Sequence, residues 1–126
     1  MTYQSINPYN GNVLKTFEEL TDAQLEIAVH TAQQCFKTWR HTTFAHRSEV
    51  LKRAAAILRS RVEDFARPIT LEMGKLIEES RGEVALSADI LDYYAENAER
   101  FLAPQQLTPA SGEATIESSP FGVLFG

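Results

Sequence analysis

The stretch Ile69-Thr70-Leu71-Glu72-Met73-Gly74-Lys75-Leu76 marks the point where one predicted helix ends and the longest one begins. Residues 69–73 continue a helical pattern. Gly74 is typical of a helix C-terminus, because glycine adopts the left-handed conformation at little cost. Lys75 follows where the helix dipole favours a cation. From about Leu76, apolar residues recur with helical spacing as far as Leu102, which predicts one long helix. Its single apolar side is predicted to include Val84, Ile90 and Phe101.

Two further amphipathic helices are predicted before this stretch. The first begins at Thr21, which has the capping-box spacing to Gln24. Its apolar residues predict one buried face: Leu25, Ala28, Val29, Ala32, Cys35, Phe36 and Trp39. The second runs from about Phe44 to the low 60s. Pro68 is expected to interrupt or kink the helix that follows, because proline lacks an amide hydrogen. The chain is therefore predicted to be mostly α-helical, with about four helices.

Strands are predicted at both ends of the chain. Asn7-Pro8 and Asn10-Gly11 are typical of a turn, and they join two short strands within residues 3–17 into a β-ribbon. Residues 103–112 are expected to form a loop, followed by strands at 114–118 and 121–125. The strand edge that residues 114–126 expose invites pairing with another chain.

Composition excludes several classes of protein. The 126 residues are 44% hydrophobic and 10% aromatic, as in globular proteins and unlike disordered ones. The net charge of −5 gives no electrostatic support for binding nucleic acid. No apolar stretch is long enough to span a bilayer, no secretory signal opens the chain, and a single cysteine cannot form an internal disulfide. These features predict a soluble cytoplasmic protein that binds neither nucleic acid nor membrane.

Few residues have the setting that catalysis requires. Cys35 lies on the apolar stripe of the first helix without a neighbouring base, so a packed core thiol is favoured over a nucleophile. His30, His41 and His46 do not have the spacing of a zinc site with Cys35, and solvated or capping histidines are favoured. No helix follows Gly122, so a phosphate-binding loop is not predicted. Composition and spacing identify no catalytic, cofactor-binding or metal site.

Two clusters of charge are explained without a ligand. Six of the twelve basic residues lie between Arg47 and Arg67. They are interleaved with acidic residues, which favours a solvated helix face with local ion pairs: Glu49, Glu63 and Asp64. A second acidic set lies near the start of the long helix, where the dipole favours negative charge: Glu78, Glu79 and Glu83.

Six blocks of the sequence follow one another in order: Ile6-Asn7-Pro8 with Asn10-Gly11, Ala32, Phe36 and Trp39 of the first helix, residues 47–58, residues 70–75 (TLEMGK), residues 93–101, and residues 119–123. Together they resemble the aldehyde dehydrogenase family, in which the first block matches the NPxTG start and the last matches the PxGV strand. The TLEMGK and YYAE blocks together resemble the succinate-semialdehyde dehydrogenase-like branch. The resemblance implies an α/β fold for the family, of which this chain contains a mostly helical part.

The resemblance also implies a chemistry, namely NAD(P)-dependent oxidation of an aldehyde, with succinate semialdehyde a candidate, to a carboxylic acid. In the family a thiolate attacks the aldehyde, hydride passes to the nicotinamide, and a thioester is hydrolysed. The motif with the oxyanion-stabilising asparagine is expected just after Gly126. The cofactor-binding lysine, general-base glutamate and nucleophilic cysteine are expected later, and Cys35 does not match the nucleophile's motif. The chain alone is therefore expected to be inactive and to bind neither NAD nor NADP.

Some positions acquire roles only through this resemblance. The carbonyl of Ile6 and the side chain of Glu72 match positions that border a monovalent cation in some members. Leu86 and Ile90 match the border of the substrate entrance. An ordinary helix-end carboxylate at Glu72, and plain core packing at Leu86 and Ile90, are the alternatives.

The resemblance further implies a domain organisation. Residues 1–112 would be the helical part of the cofactor-binding domain, and residues 113–126 would begin the strands of the oligomerisation region. A homo-oligomer is expected, formed through the exposed strand edge and apolar helix faces. The alternative is a free-standing helical interaction module that docks with itself or with a full-length relative.

Overall fold

Four helices and two short antiparallel ribbons make up residues 2–124, the part of the chain that the computed structural model describes. Along the chain the order is β1 (Tyr3–Ile6), β2 (Val13–Phe17), α1 (Asp22–Trp39), α2 (Phe44–Ser60), α3 (Val62–Met73), α4 (Ile77–Phe101), β3 (Gln105–Leu107) and β4 (Ala114–Ile116). The predicted fold class is confirmed. The chain is mostly helical, with an N-terminal ribbon and two C-terminal strands.

The N-terminal ribbon forms at the predicted turn. Strands β1 and β2 pair antiparallel, with a bulge between Ser5 and Ile6. The Asn7 side chain accepts a hydrogen bond from the Tyr9 amide at 2.9 Å, and the Gly11 amide donates to the Asn7 carbonyl at 2.8 Å. Gly11 has a φ of 73°, which glycine adopts without strain.

Helix α1 begins as predicted, but its apolar face is not buried. Thr21 and Gln24 form the complete capping box. However, no residue of α1 is buried, and Leu25, Val29 and Trp39 are 41%, 52% and 40% exposed. The predicted buried face is therefore wrong for the described residues. Helical periodicity identifies an apolar face, but it does not supply the element that covers it.

The predicted end of the second helix in the low 60s is confirmed, whereas the interruption expected at Pro68 does not occur. Arg61, with φ −125° and ψ 34°, separates α2 from α3, whereas α3 runs through Pro68 without interruption. Proline removes one backbone hydrogen bond and does not by itself end a helix that packing holds in place. Ala66 of α3 is fully buried, and α3 packs on α4.

Helices α2 and α4 form the most extensive packing in the described chain. The start of α2 lies beside the end of α4, and Arg59 near the end of α2 bonds to Asp89 and Asp92 earlier in α4. The two helices are therefore antiparallel. The buried residues are mostly small, which lets the helix backbones approach closely: Ala55, Ala66, Ser80, Val84 and Ala88.

The C-terminal strands differ in position from the prediction. Strand β3 lies inside the predicted 103–112 loop and pairs antiparallel with β4. Residues 121–124 form no regular strand, and residue 125 lies outside the described residues. An apolar run favours a strand only where a neighbour accepts its backbone hydrogen bonds, and no described strand pairs with residues 121–124. Among residues 2–124, no helix is long and apolar enough to cross a membrane.

Candidate functional site

The 70–75 segment meets the N-terminal turn, which lies more than 60 residues earlier in the sequence. Together they line an open cavity of about 250 Å³ formed by Asn7, Tyr9, Thr70, Leu71, Gly74 and Lys75. Gly74 ends α3 in the predicted left-handed conformation, with φ 72°, and its amide donates to the Thr70 carbonyl at 3.0 Å. Two blocks that are far apart in the sequence therefore form one structural unit.

Side chains of the 70–75 segment are tied to α4. The hydroxyl groups of Thr70 and Ser80 lie 2.9 Å apart, and Ser80 is fully buried. The Lys75 ammonium pairs with the Glu83 carboxylate. Ser80 was not among the residues identified from the sequence, although it lies three residues after Ile77 and four before Val84, on the helix's apolar side.

This segment does not suit a phosphate group. Gly74 and Lys75 precede the N-terminus of α4, where backbone amides favour an anion. However, Glu78 and Glu79 occupy the first turn of α4, and Lys75 already has Glu83 as its partner. These carboxylates repel a phosphate, so the donor set does not fit a dinucleotide.

The residues proposed to border a cation show no assembled site. Ile6 is 47% exposed, and Glu72 is also exposed. Within the 2–124 region, no three or more histidine, cysteine or acidic side chains are grouped to hold a metal ion. A role for Ile6 and Glu72 therefore stays a prediction from the resemblance.

Helix α4 is apolar on two opposite faces. Ser80, Val84 and Ala88 pack inward, whereas a second set projects from the opposite side at helical spacing: Leu86, Ile90, Tyr93 and Phe101. Leu86 and Ile90 are 59% and 47% exposed. The prediction that Ile90 and Phe101 share one apolar side with Val84 is therefore wrong.

The exposure of the second face also bears on its predicted role. Leu86 and Ile90 do not pack into a core within residues 2–124, so the alternative of plain core packing is not observed there. A substrate entrance at these two residues stays a prediction. The face continues into an aromatic cluster, in which the rings of Tyr93 and Phe101 are 5.9 Å apart and those of Tyr93 and Tyr94 are 5.4 Å apart.

Cys35 is exposed, so the prediction of a packed core thiol is wrong. Its helix has no buried residue, and Cys35 instead lines an open groove of about 300 Å³ with Ala32, Phe36, Trp39, Gly122 and Val123. His30 lies on the solvated side of α1, 3.3 Å from the Gln34 amide. His46 lies edge-on to Trp39 with ring centroids 5.8 Å apart. The histidines and Cys35 form no metal-binding group within residues 2–124.

The basic segment forms ion pairs between helices as well as local ones. The predicted local pairing is present at Arg61, which bonds to Asp64 at 2.8 Å. The sequence did not reveal the role of Arg59, which bonds to Asp89 at 2.7 Å and Asp92 at 2.6 Å. The Asp89 and Asp92 carboxylates hold the pKa of Arg59 above its ordinary value. Sequence spacing carries no signal for this pair, since it depends on how α2 lies against α4.

A second interhelix pair involves Arg81 and Glu63. Arg81 donates two hydrogen bonds to Glu63, at 2.7 and 3.0 Å, and it also pairs with Glu78. These bonds from Arg81 lower the pKa of Glu63. The Glu63 carboxylate likewise raises the pKa of Arg81. Both Arg59 and Arg81 therefore join helices.

Comparison with protein families gives one match, which covers residues 1–126: the aldehyde dehydrogenase family. The chain is 40% identical over 124 residues to a succinate-semialdehyde dehydrogenase [NADP(+)] from Deinococcus radiodurans, covering 98% of this chain and 26% of that protein. It is 37% identical to the succinate semialdehyde dehydrogenase [NAD(P)+] Sad from Escherichia coli, covering 95% of this chain and 26% of that protein.

Solved structures give a similar result. Gox0499 superimposes with a TM-score of 0.91 at 37% identity, covering 96% of this chain and 27% of that chain. A succinic semialdehyde dehydrogenase from Streptococcus pyogenes, in complex with NADP+, gives a TM-score of 0.84 at 41% identity, covering 90% of this chain and 25% of that chain. The chain thus spans about a quarter of the length of the relatives it matches.

Proposed function

The chain belongs to the aldehyde dehydrogenase family, and we propose that it forms the N-terminal part of a subunit that oxidises succinate semialdehyde to the corresponding acid with NADP+. The observation that carries this proposal is the 40% identity, over 98% of the chain, to a succinate-semialdehyde dehydrogenase that uses NADP(+). The structural similarity to the S. pyogenes enzyme supports the same substrate and cofactor.

The chain's own residues would contribute a frame to this reaction. When bound, the nicotinamide cofactor accepts hydride from the substrate. No described residue is assigned to binding this cofactor, because the carboxylates beside Gly74 and Lys75 disfavour its phosphate groups. Cys35 is not assigned as the nucleophile, since it lies on an open apolar stripe without a base beside it. We propose that the reacting cysteine, glutamate and asparagine lie outside these 126 residues, and that the chain alone is inactive.

The organisation of the subunit is part of the same proposal. We assign residues 1–112 to the helical part of the cofactor-binding domain and residues 113–126 to the oligomerisation strands. The β3–β4 hairpin spans this boundary, so backbone hydrogen bonds join the two parts. Exposed strand edges and apolar helix faces support a homo-oligomer. A cytoplasmic location agrees with the single unpaired Cys35.

A second candidate function is that of a free-standing interaction module. The exposed apolar residues of α1 and α4 favour it, because monomeric proteins rarely leave large apolar patches open. Size-exclusion chromatography with light scattering separates the two. A stable monomer at high concentration would count against the interaction module.

A chimera tests the proposed enzyme function. This chain replaces the matched quarter of the D. radiodurans relative, and NADP+ reduction is followed with succinate semialdehyde. We expect turnover by the chimera and none by the 126-residue chain assayed alone. A folded chimera that prefers another aldehyde would contradict the proposed substrate. Turnover that tracks the purified 126-residue chain would contradict its proposed inactivity. The unmodified relative is the positive control.

A further inference from the structure

The start of α2 and the end of α4 enclose a cavity of about 250 Å³. Its walls include several large apolar or aromatic side chains, namely Phe44, Leu51, Tyr94 and Leu102. It shares no lining residue with the cavity at Gly74. The cavity is therefore separate from the segment that resembles the family's TLEMGK block.

Arg47 lines this cavity and carries a buried donor without an acceptor. Its Nη2 donates to the Thr42 carbonyl at 2.9 Å, and its guanidinium carbon lies 4.8 Å from the centre of the Phe44 ring. Its Nε is buried and has no hydrogen-bond partner among residues 2–124. A buried charged donor is stabilised when an acceptor reaches it. The contacts to Thr42 and Phe44 fix the guanidinium, so an acceptor in the cavity would meet a preorganised cation.

The cavity is positive on its α2 side and negative on its α4 side. The α2 side has Arg47 and the first turn of the helix, whose free amides favour an anion. The α4 side has Glu96 and Glu99 near the helix C-terminus, where the dipole favours a cation. Because α2 and α4 are antiparallel, these two helix ends lie side by side. Opposite charges therefore line one small, partly apolar space.

We propose that this cavity binds a free amino acid with an apolar side chain. The ligand's carboxylate accepts a hydrogen bond from the Arg47 Nε. Its ammonium group lies on the side of Glu96 and Glu99, and its apolar side chain contacts Leu51 and Tyr94. This binding is distinct from the proposed oxidation of an aldehyde and does not depend on it.

Other small molecules match less of the cavity. A monocarboxylate would pair with Arg47 but would leave Glu96 and Glu99 without a cation. An amine would leave the Arg47 Nε without an acceptor. A phosphate or a dicarboxylate would add negative charge beside two carboxylates. The volume of about 250 Å³ is just below the range typical of sites for drug-sized ligands, so it suits a molecule as small as an amino acid.

Competition binding tests the proposal. Binding of radiolabelled L-leucine to the 126-residue chain is measured by equilibrium dialysis, with two analogues as competitors. 4-Methylpentanoate is leucine without its ammonium group, and 3-methylbutylamine is leucine without its carboxylate. We expect one saturable leucine site per chain. Each analogue should compete roughly 10-fold less well than unlabelled leucine, because each lacks one of the two charged contacts.

Two matched substitutions on α2 locate the site. Arg47→Gln should weaken leucine binding by roughly 10-fold, because the carboxylate loses its charged donor. Arg53→Gln is the control, since Arg53 is exposed on the same helix and does not line the cavity. It should bind leucine as the native chain does. Circular dichroism checks that both variants remain helical.

A third variant keeps the bond from Arg47 to Thr42 intact. Glu99 is exposed, so Glu99→Gln removes a charge from the cavity without opening the packing between α2 and α4. It should weaken the binding of leucine and strengthen that of 4-methylpentanoate. Loss of folding would weaken both ligands, so opposite changes report on the site itself.

Three results would overturn the proposal. The first is the absence of saturable leucine binding to the native chain. The second is equal competition by leucine and by either analogue. The third is an equal loss of leucine binding in Arg47→Gln and Arg53→Gln, which would show that general charge, and not this cavity, holds the ligand.

Discussion

Gly74 lies so close to Pro8 that a Cβ at position 74 would be 3.1 Å from the Pro8 Cγ. Gly74 also has a φ of +72°, in the left-handed region that disfavours other residues. Backbone conformation and close contact therefore both favour glycine here. This contact joins the C-terminus of α3 to the N-terminal turn.

Gly74→Ala is the first prediction. The substitution should lower the free energy of unfolding by about 1–2 kcal/mol, from left-handed backbone strain alone. Displacement of Pro8 adds to that cost, because the new Cβ is closer than ordinary van der Waals contact. Urea denaturation followed by circular dichroism measures the change.

A matched glycine and a double mutant sharpen this test. Gly82 lies within α4, and a Cβ added there would meet no neighbouring atom within 4 Å, so Gly82→Ala should stabilise by about 0.5–1 kcal/mol. In a Pro8→Ala background, Gly74→Ala should cost less than in the native chain, since the Cγ contact is gone. Effects of the same sign at positions 74 and 82 would refute the requirement for glycine at position 74.

The second prediction concerns the buried hydroxyl of Ser80. Ser80→Ala leaves the part-buried Thr70 hydroxyl without this partner and should cost about 1–3 kcal/mol. Removing both hydroxyls, with Thr70→Val added, should recover part of that loss, because no polar group is then left unpaired. The free energy of unfolding of the single and double mutants gives the coupling. Ser87→Ala, exposed on the same helix, should stay within about 0.5 kcal/mol of the native value.

Local signals in the sequence predicted local features well. The capping box at Thr21 and the left-handed end of α3 at Gly74 both depend on interactions within a few residues, and both are confirmed. The existence of four helices also followed from periodicity. The end of α2 in the low 60s was also predicted, whereas the interruption expected at Pro68 is absent, since Pro68 remains inside α3.

Features that depend on packing could not be read from the sequence. The apolar stripe of α1 predicted burial, yet Cys35 and Trp39 are exposed, because periodicity does not show whether a neighbour is present. Apolar spacing predicted one face containing Ile90 and Val84, whereas these residues lie on opposite sides of α4. The bond from Arg59 to Asp89 spans 30 residues and depends on the antiparallel fit of α2 and α4.

The third prediction concerns the pH dependence of the Glu63–Arg81 pair. Arg81 lowers the pKa of Glu63 below its ordinary value of 4.5, so the pair stabilises the fold above that value. This stabilisation is lost as the pH falls through the lowered pKa. The urea midpoint of the native chain should exceed that of Glu63→Gln at neutral pH, and the difference should shrink under acid. In an Arg81→Gln background, the difference in urea midpoint caused by Glu63→Gln should not change with pH. A difference that still shrinks under acid would contradict the attribution of the lowered Glu63 pKa to Arg81.

The fourth prediction compares the capping residues of an unpacked helix and a packed one. Thr21 caps α1, which has no buried residue, whereas Thr43 caps α2, which packs on α4. Each threonine-to-alanine change should cost about 1 kcal/mol. For Thr21→Ala, hydrogen exchange should speed up about five-fold in α1 and stay unchanged in α4, because α1 opens locally. For Thr43→Ala, the slowest amides of α2 and α4 should speed up together, because they open as one unit. Equal acceleration of α1 and α4 by Thr21→Ala would show that α1 is coupled to the bundle after all.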